Sequence, residues 1–254
     1  GEQVVPFQYY WIEGFIGAVS RVRKDGRMGV ISPFGDVLLA VEHALVGVFN
    51  DGLALVADGG RCGYVDLSGR FMIPQRFEMP EGAVPAWGDF HNGAARVMSG
   101  GKAGLIDARG EAVLSPKYTD IGTLENGVLP VKKKNKWGFV DRAGRPLSET
   151  GFDGAWEMGH GYARVRNGAL FGLVDSTGKV VLPTKYQELG DVRVGLLIAS
   201  GTEPKTAGRK GVIDTGGQVR IPFAYDRIEF VDDSTALVGR GTGERITDMK
   251  MAYM

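Results

Sequence analysis

A single cysteine, Cys62, excludes an intramolecular disulfide and any cysteine-built metal site. An excess of one charge is missing too: 30 Lys and Arg face 30 Asp and Glu, for a formal net charge of zero. No bulk electrostatic pull toward nucleic acid or a membrane surface is therefore expected. No apolar run approaches a membrane-spanning length, and no stretch carries a helical period. No glycine-rich phosphate loop opens a helix, and His43, His91 and His160 show no metal-ligand spacing, so neither cofactor nor metal is expected. The sequence starts at Gly1 without a Met or a signal-like apolar core, as a trimmed start would, and the compartment stays open between the cytoplasm, slightly favoured, and the periplasm should a signal peptide have been removed.

What is abundant is glycine: 40 residues against 11 prolines. The glycines recur in a pattern, Gly-x-(Val/Ile)-Asp-x-x-Gly. It occurs as Gly63 to Gly69, Gly104 to Gly110, Gly138 to Gly144, Gly172 to Gly178 and Gly211 to Gly217, and with Ser32 in place of Asp as Gly29 to Gly35. From one leading glycine to the next the spacing is 34, 41, 34, 34 and 39 residues. A fixed period of this size marks a repeat architecture.

Each motif is followed by a short apolar run, usually closed by Pro, as in Val180 to Pro183, with an aromatic three residues on, as in Tyr186. A further short segment and an alternating run such as Gly93 to Val97 complete the copy. Each copy thus supplies up to four short stretches of β-branched and aromatic residues between Gly, Pro, Asn and Asp, which is a strand pattern throughout. Asp51-Gly52, Asn92-Gly93 and Asn126-Gly127 fit tight hairpins with positive φ, and His160-Gly161 holds the same place. Asp-x-x-Gly fits a type I turn whose Asp accepts local N–H groups, a task Ser32 can share.

The expected fold is all-β: one domain over residues 1–254, a toroidal β-propeller-like array of about seven short antiparallel units. The last unit would be shared between the termini, because Val5 to Tyr9 resembles the run at Ile221 to Tyr225. An open β-solenoid is the alternative.

Lys136-Trp137-Gly138-Phe139-Val140-Asp141-Arg142-Ala143-Gly144, with the run Val181 to Tyr186, resembles the signature of the bacterial WG-repeat (KWG) family. Only Trp137 supplies the Trp; Met28, Cys62, Ala103, Phe171 and Lys210 stand there in other copies. The resemblance implies an interaction scaffold and no catalytic residues. The expected function is accordingly a non-enzymatic protein-binding scaffold, such as an adaptor or a toxin-neutralising (immunity) module. A glycan- or small-ligand-binding propeller, or a glycosidase, is the alternative, and a structural domain of a larger chain is the third.

The repeated Asp are assigned to turn capping rather than catalysis, since a catalytic pair needs two carboxylates in unlike environments. Cys62 is assigned to packing. The turn before each motif is basic, as at Lys132, Lys133, Lys134 and Lys136 or at Arg209 and Lys210, whereas the segment after the Pro is acidic. These two classes are expected on opposite faces, the basic one meeting a partner protein with an acidic surface. The insertion Met79 to Gly88 adds Val84 and Trp87 as anchor candidates. The residues expected at the partner interface are therefore Trp87, Val84, Lys132, Lys133, Lys134, Lys136, Arg209 and Lys210.

Overall fold

The computed structural model describes residues 8–83, 85–148, 151–233, 235–241 and 246–250. The chain groups into two compact bodies, Gly1–Thr123 and Leu124–Met254. Every regular element among the described residues is a β-strand except one short 3₁₀ turn, Pro85–Gly88, inside the first insertion. That turn lies in the inserted loop, outside the strands of the repeat; Pro85 opens it with its fixed φ.

In the N-terminal body one sheet takes the strands Trp11–Ile12, Ser20–Lys24, Arg27–Ile31 and Val37–His43 in chain order. A second has seven strands, in which two meanders meet through the pair Glu78 and Met98. In the C-terminal body Gly154–Ala155, Tyr162–Asn167, Leu170–Asp175 and Val180–Tyr186 form one four-stranded meander, and Glu188–Leu189 through Val219–Tyr225 another. Four-stranded antiparallel meanders are the sheets from which propeller blades are made. Seven central hairpins occur among the described residues, which matches the number of units read from the sequence. The sharing of the last unit rests partly on Val5 and Pro6, which lie outside the described residues.

The fourth strand shows why the pattern is written as it is. Val37–His43, Ala112–Tyr118 and Val180–Tyr186 share one burial pattern, which sends Leu39, Leu114 and Leu182 inward, with His43, Tyr118 and Tyr186 four residues later. The pairing of third and fourth strands slips at the motif glycine. There the fourth strand's backbone crosses directly over it. A Cβ on Gly29, Gly104, Gly172 or Gly211 would stand 2.5 to 2.7 Å from the carbonyl oxygen of Leu39, Leu114, Leu182 or Ile221. Only glycine admits that approach.

The Asp-x-x-Gly turns form as expected. Asp175 Oδ1 accepts from the amides of Thr177 at 2.9 Å and Lys179 at 3.1 Å. Asp66, Asp107 and Asp214 repeat the arrangement, and Ser32 Oγ accepts from Phe34 and Asp36, each at 3.1 Å. The Ser68 and Thr177 hydroxyls lead in holding the carboxyls of Asp66 and Asp175 below their usual range. The opposite turns also match: Asp51, Asn92, Asn126 and His160 sit at φ near 50°, each followed by a glycine. Val194, at φ 48°, does the same without any polar cue in its side chain.

The core of the N-terminal body holds Leu55, Tyr64, Phe90 and Cys62. Tyr64 is fully buried and its hydroxyl donates to Gly88 O at 2.7 Å. Burial pushes the Cys62 thiol up to about 11, which leaves it protonated and suits packing. The C-terminal body packs Leu173, Leu182, Tyr186, Leu197 and Ile213 together.

Candidate functional site

The sequence-selected residues divide between the two bodies. Trp87, in the N-terminal body, is half-buried on the 3₁₀ turn. Arg96 donates to its carbonyl at 2.9 Å and stacks 5.6 Å from its ring centroid. Val84 lies outside the described residues. In the C-terminal body Lys132 lies over the Trp137 ring at 5.7 Å, and Lys133 and Lys134 are exposed at the tip of the hairpin Val128–Lys133 with Lys136–Asp141. Lys136 pairs with Asp153, Arg209 with Asp226, and Lys210 with Glu188 at 3.1 Å.

These pairs overturn the expected separation of charge onto opposite faces. The basic turn joins the second and third strands, and the acidic segment follows the fourth. One reversal lies between them, so both come to the same end of the sheet; Arg61 pairs in register with Glu78 accordingly. The carboxylates also cap the next hairpin tips. Glu78 accepts from the amides of Gly100 and Gly101 at 2.9 and 3.0 Å, Asp153 from Gly168 at 2.8 Å and Asp226 from Gly241 at 2.6 Å. Those bonds lower the Glu78 and Asp226 carboxyls, and Lys136 leads in lowering Asp153. The acidic residues thus hold the tips together and offset the basic charge locally.

A second recurrent cation emerges only in three dimensions. Arg21, Arg96 and Arg164 each lie on the second strand of a repeat. Each donates from Nη1 to a backbone carbonyl of the following short strand: Val46 at 3.0 Å, Ile121 at 3.1 Å and Leu189 at 3.0 Å. Each guanidinium also lies over an indole, that of Trp11, Trp87 or Trp156, at 5.6 to 5.8 Å. These arginines staple one sheet to the next. The sequence carries a signal for them, the steps Ser20-Arg21-Val22, Ala95-Arg96-Val97 and Ala163-Arg164-Val165, which the reading of turn charge passed over.

Beside Arg164 the C-terminal body contains a cavity of about 350 Å³, lined by Trp156, Glu157, His160, Tyr162 and Asp191 among others. Arg164 Nη2 stands 3.4 Å from Asp191 Oδ1, and Tyr162 donates its hydroxyl to Thr215 Oγ1 at 3.4 Å. Trp156 leans on Phe171, with ring centroids 5.7 Å apart. The N-terminal body has a different polar feature. Asp89 is partly buried, its Oδ1 has no hydrogen-bond partner among the described residues, and burial pushes its carboxyl up to about 6 against the pull of Arg21. No group of three or more His, Cys, Asp or Glu placed to hold a metal ion occurs among the described residues.

The family described as "WG containing repeat" matches residues 1–27, 104–137, 137–170, 171–199 and 211–240. No curated protein matches the chain. Solved structures similar to it include Kluyveromyces lactis Hsv2, at 7% identity and TM-score 0.44 over 87% of this chain and 86% of that one. A eukaryotic initiation factor aligns at 12% identity and TM-score 0.49 over 87% and 67% of the two chains. YCF48 bound to a D1 peptide aligns at 11% and 0.34 over 87% and 86%.

Proposed function

The chain belongs to the WG-repeat family, and we propose that it is a non-enzymatic scaffold that binds another protein, as an adaptor or as a module that neutralises a toxin. The observation that carries this reading is a run of large apolar side chains at the start of the N-terminal body. Tyr10, Trp11, Ile12, Phe15 and Ile16 are each between 39% and 65% exposed. Five such residues within seven positions form a concentration of apolar surface of the kind that marks interaction sites. Aromatic anchors of this type contribute heavily to protein interfaces. The repeat's polar groups favour the same reading, because the turn Asp and the tip carboxylates are engaged in holding strands together.

Of the lysine tip, Lys133 and Lys134 are the side chains that have no ion-pair partner among the described residues, and they are the proposed contacts to an acidic partner surface. Trp87, stacked on Arg96, contributes through the exposed part of its ring. The test is affinity capture from native lysate with the wild-type chain, a Tyr10→Ser, Phe15→Ser variant and a Lys133→Glu, Lys134→Glu variant. A specific partner retained by wild type, lost on apolar substitution and weakened by charge reversal supports the reading. Equal recovery by all three proteins would overturn the surface assignment.

A further inference from the structure

We propose that the cavity beside Arg164 in the C-terminal body is a binding site for a neutral saccharide. This inference is independent of protein binding through the apolar run, which lies in the other body. A volume of about 350 Å³ falls at the small end of ligand cavities, roughly 300 to 1,000 Å³, and accommodates a hexose-sized guest.

The lining decides the ligand class. Glu157 and Asp191 are exposed carboxylates, and neither is consumed in turn capping as the motif Asp are. Arg164 supplies one guanidinium, fixed by the Leu189 carbonyl at 3.0 Å, by Asp191 at 3.4 Å and by the Trp156 ring. An anionic guest would face two carboxylates, and a cationic guest would face Arg164 at close range. A neutral polyol meets neither conflict. Its hydroxyls can donate to Glu157 and Asp191 and accept from Arg164, and one group can do both. Its C–H surface can rest on the exposed part of the Trp156 indole, which supplies apolar contact at low entropy cost. The arginine is already immobilised, so the site is organised before the ligand arrives.

The cavity arises where two consecutive repeats differ at one position. The backbone amide of Trp156 bonds to Arg164 O at 3.1 Å, and that of Gly190 bonds to Ile198 O at 2.8 Å in the next repeat. The two residues therefore occupy one position, and an indole stands where another copy has no side chain. Glu157 and Asp191 likewise share a position, two residues ahead of the amides of Gly159 and Arg193, which bond to Tyr162 and Leu196. The cavity combines one carboxylate from each of two consecutive repeats.

The test titrates the intact chain with neutral monosaccharides and with an oligosaccharide array, and with arginine amide and acetate as charged probes, followed by calorimetry and tryptophan fluorescence. The monosaccharide and array arms distinguish a free sugar from one carried on a polymer. Saturable binding of a neutral saccharide is expected, weakened by roughly tenfold or more, about 1.4 kcal/mol, in Trp156→Ala and in Asp191→Asn. Asp191 is 87% exposed, so its variant retains the wild-type melting temperature and remains informative should Trp156→Ala disturb the fold. Absence of saturable saccharide binding, unchanged affinity in Asp191→Asn, or binding of a charged probe alone would overturn the proposal.

Discussion

Arg21 in the N-terminal body and Arg164 in the C-terminal body perform the same structural task in unlike company. Both donate to the carbonyl of the next short strand at 3.0 Å and both lie over a tryptophan. Arg21 is then closed off by Glu13, which accepts from Nε and Nη2 at 2.6 Å each, whereas the carboxylate nearest Arg164 among the described residues is Asp191 at 3.4 Å, and Arg164 borders a cavity. Glu13 bonds through its amide to Arg21 O, as Trp156 does to Arg164 O, so one repeat position decides between the two outcomes. A carboxylate there completes the ion pair and seals the junction. An indole leaves the guanidinium's remaining donors facing open space. The repeat frame holds sheets together, and binding capacity depends on what the frame leaves unsatisfied.

The largest effect should separate the two arginines themselves. Arg21→Ala strips a partly buried carboxylate of its bidentate partner and takes away the Val46 carbonyl's guanidinium donor, which should cost about 2 to 3 kcal/mol. Arg164→Ala should cost about 1 to 2 kcal/mol, because Asp191 stays solvated. Denaturant unfolding of both variants measures this, and equal losses would break the comparison. The Arg21 pair also has a pH signature. Arg21 holds the Glu13 carboxyl below its ordinary value, so the stability it contributes is present at neutral pH and is lost as pH falls through that lowered value.

Asp89 sharpens the same contrast. The amide of His91, two residues on, bonds to Ala94 O as those of Gly159 and Arg193 bond to Tyr162 and Leu196, which places Asp89 at the repeat position of Glu157 and Asp191, yet in the N-terminal body that carboxylate is partly buried and raised to about 6. A raised carboxyl makes ionisation costly to the fold. The cost is absent at acid pH, grows as pH rises above the ordinary value of 3.8, and is complete above about 6. Asp89→Asn should therefore stabilise the chain at pH 7 by about 1 to 2 kcal/mol, allowing for partial exposure, and leave it unaffected near pH 3.5. Melting temperatures at the two pH values decide this.

Converting one junction into the other comes next in size. Trp156→Glu writes the Glu13 arrangement into the C-terminal body. It should raise stability by up to about 1 kcal/mol through the new pair with Arg164, and should abolish saccharide binding. Retained binding in that variant would show that the indole is not the platform. Smallest of all, Lys133→Glu with Lys134→Glu should move stability by no more than about 0.5 kcal/mol, because both side chains are exposed on a hairpin tip.

How much of this was legible in the sequence follows the range of each interaction. The motif glycines, the Asp turns including Ser32, and the left-handed Asp51, Asn92, Asn126 and His160 depend on neighbours a few residues away, and their identities announce them. Val194 adopts the same left-handed turn with a side chain that gives no such sign, and only the glycine after it marks the place. The distribution of charge was misread because it depends on counting reversals: the basic tip and the acidic segment are two turns apart, so they meet instead of facing away. The exposed run from Tyr10 to Ile16 looks, in sequence, like any strand of a repeat. The cavity could not be read from spacing, because Glu157 and Asp191 come together only when two sheets pack. Its one trace was Trp156 at a position where Gly47 and Gly190 stand in other copies.

The most direct measurement is a pair of double-mutant cycles by denaturant unfolding, Glu13→Gln with Arg21→Lys in one body and Asp191→Asn with Arg164→Lys in the other. A coupling of about 2 kcal/mol or more is expected for the first pair and less than about 0.5 kcal/mol for the second. Equal couplings would contradict the claim that one repeat position seals one junction and leaves the other open.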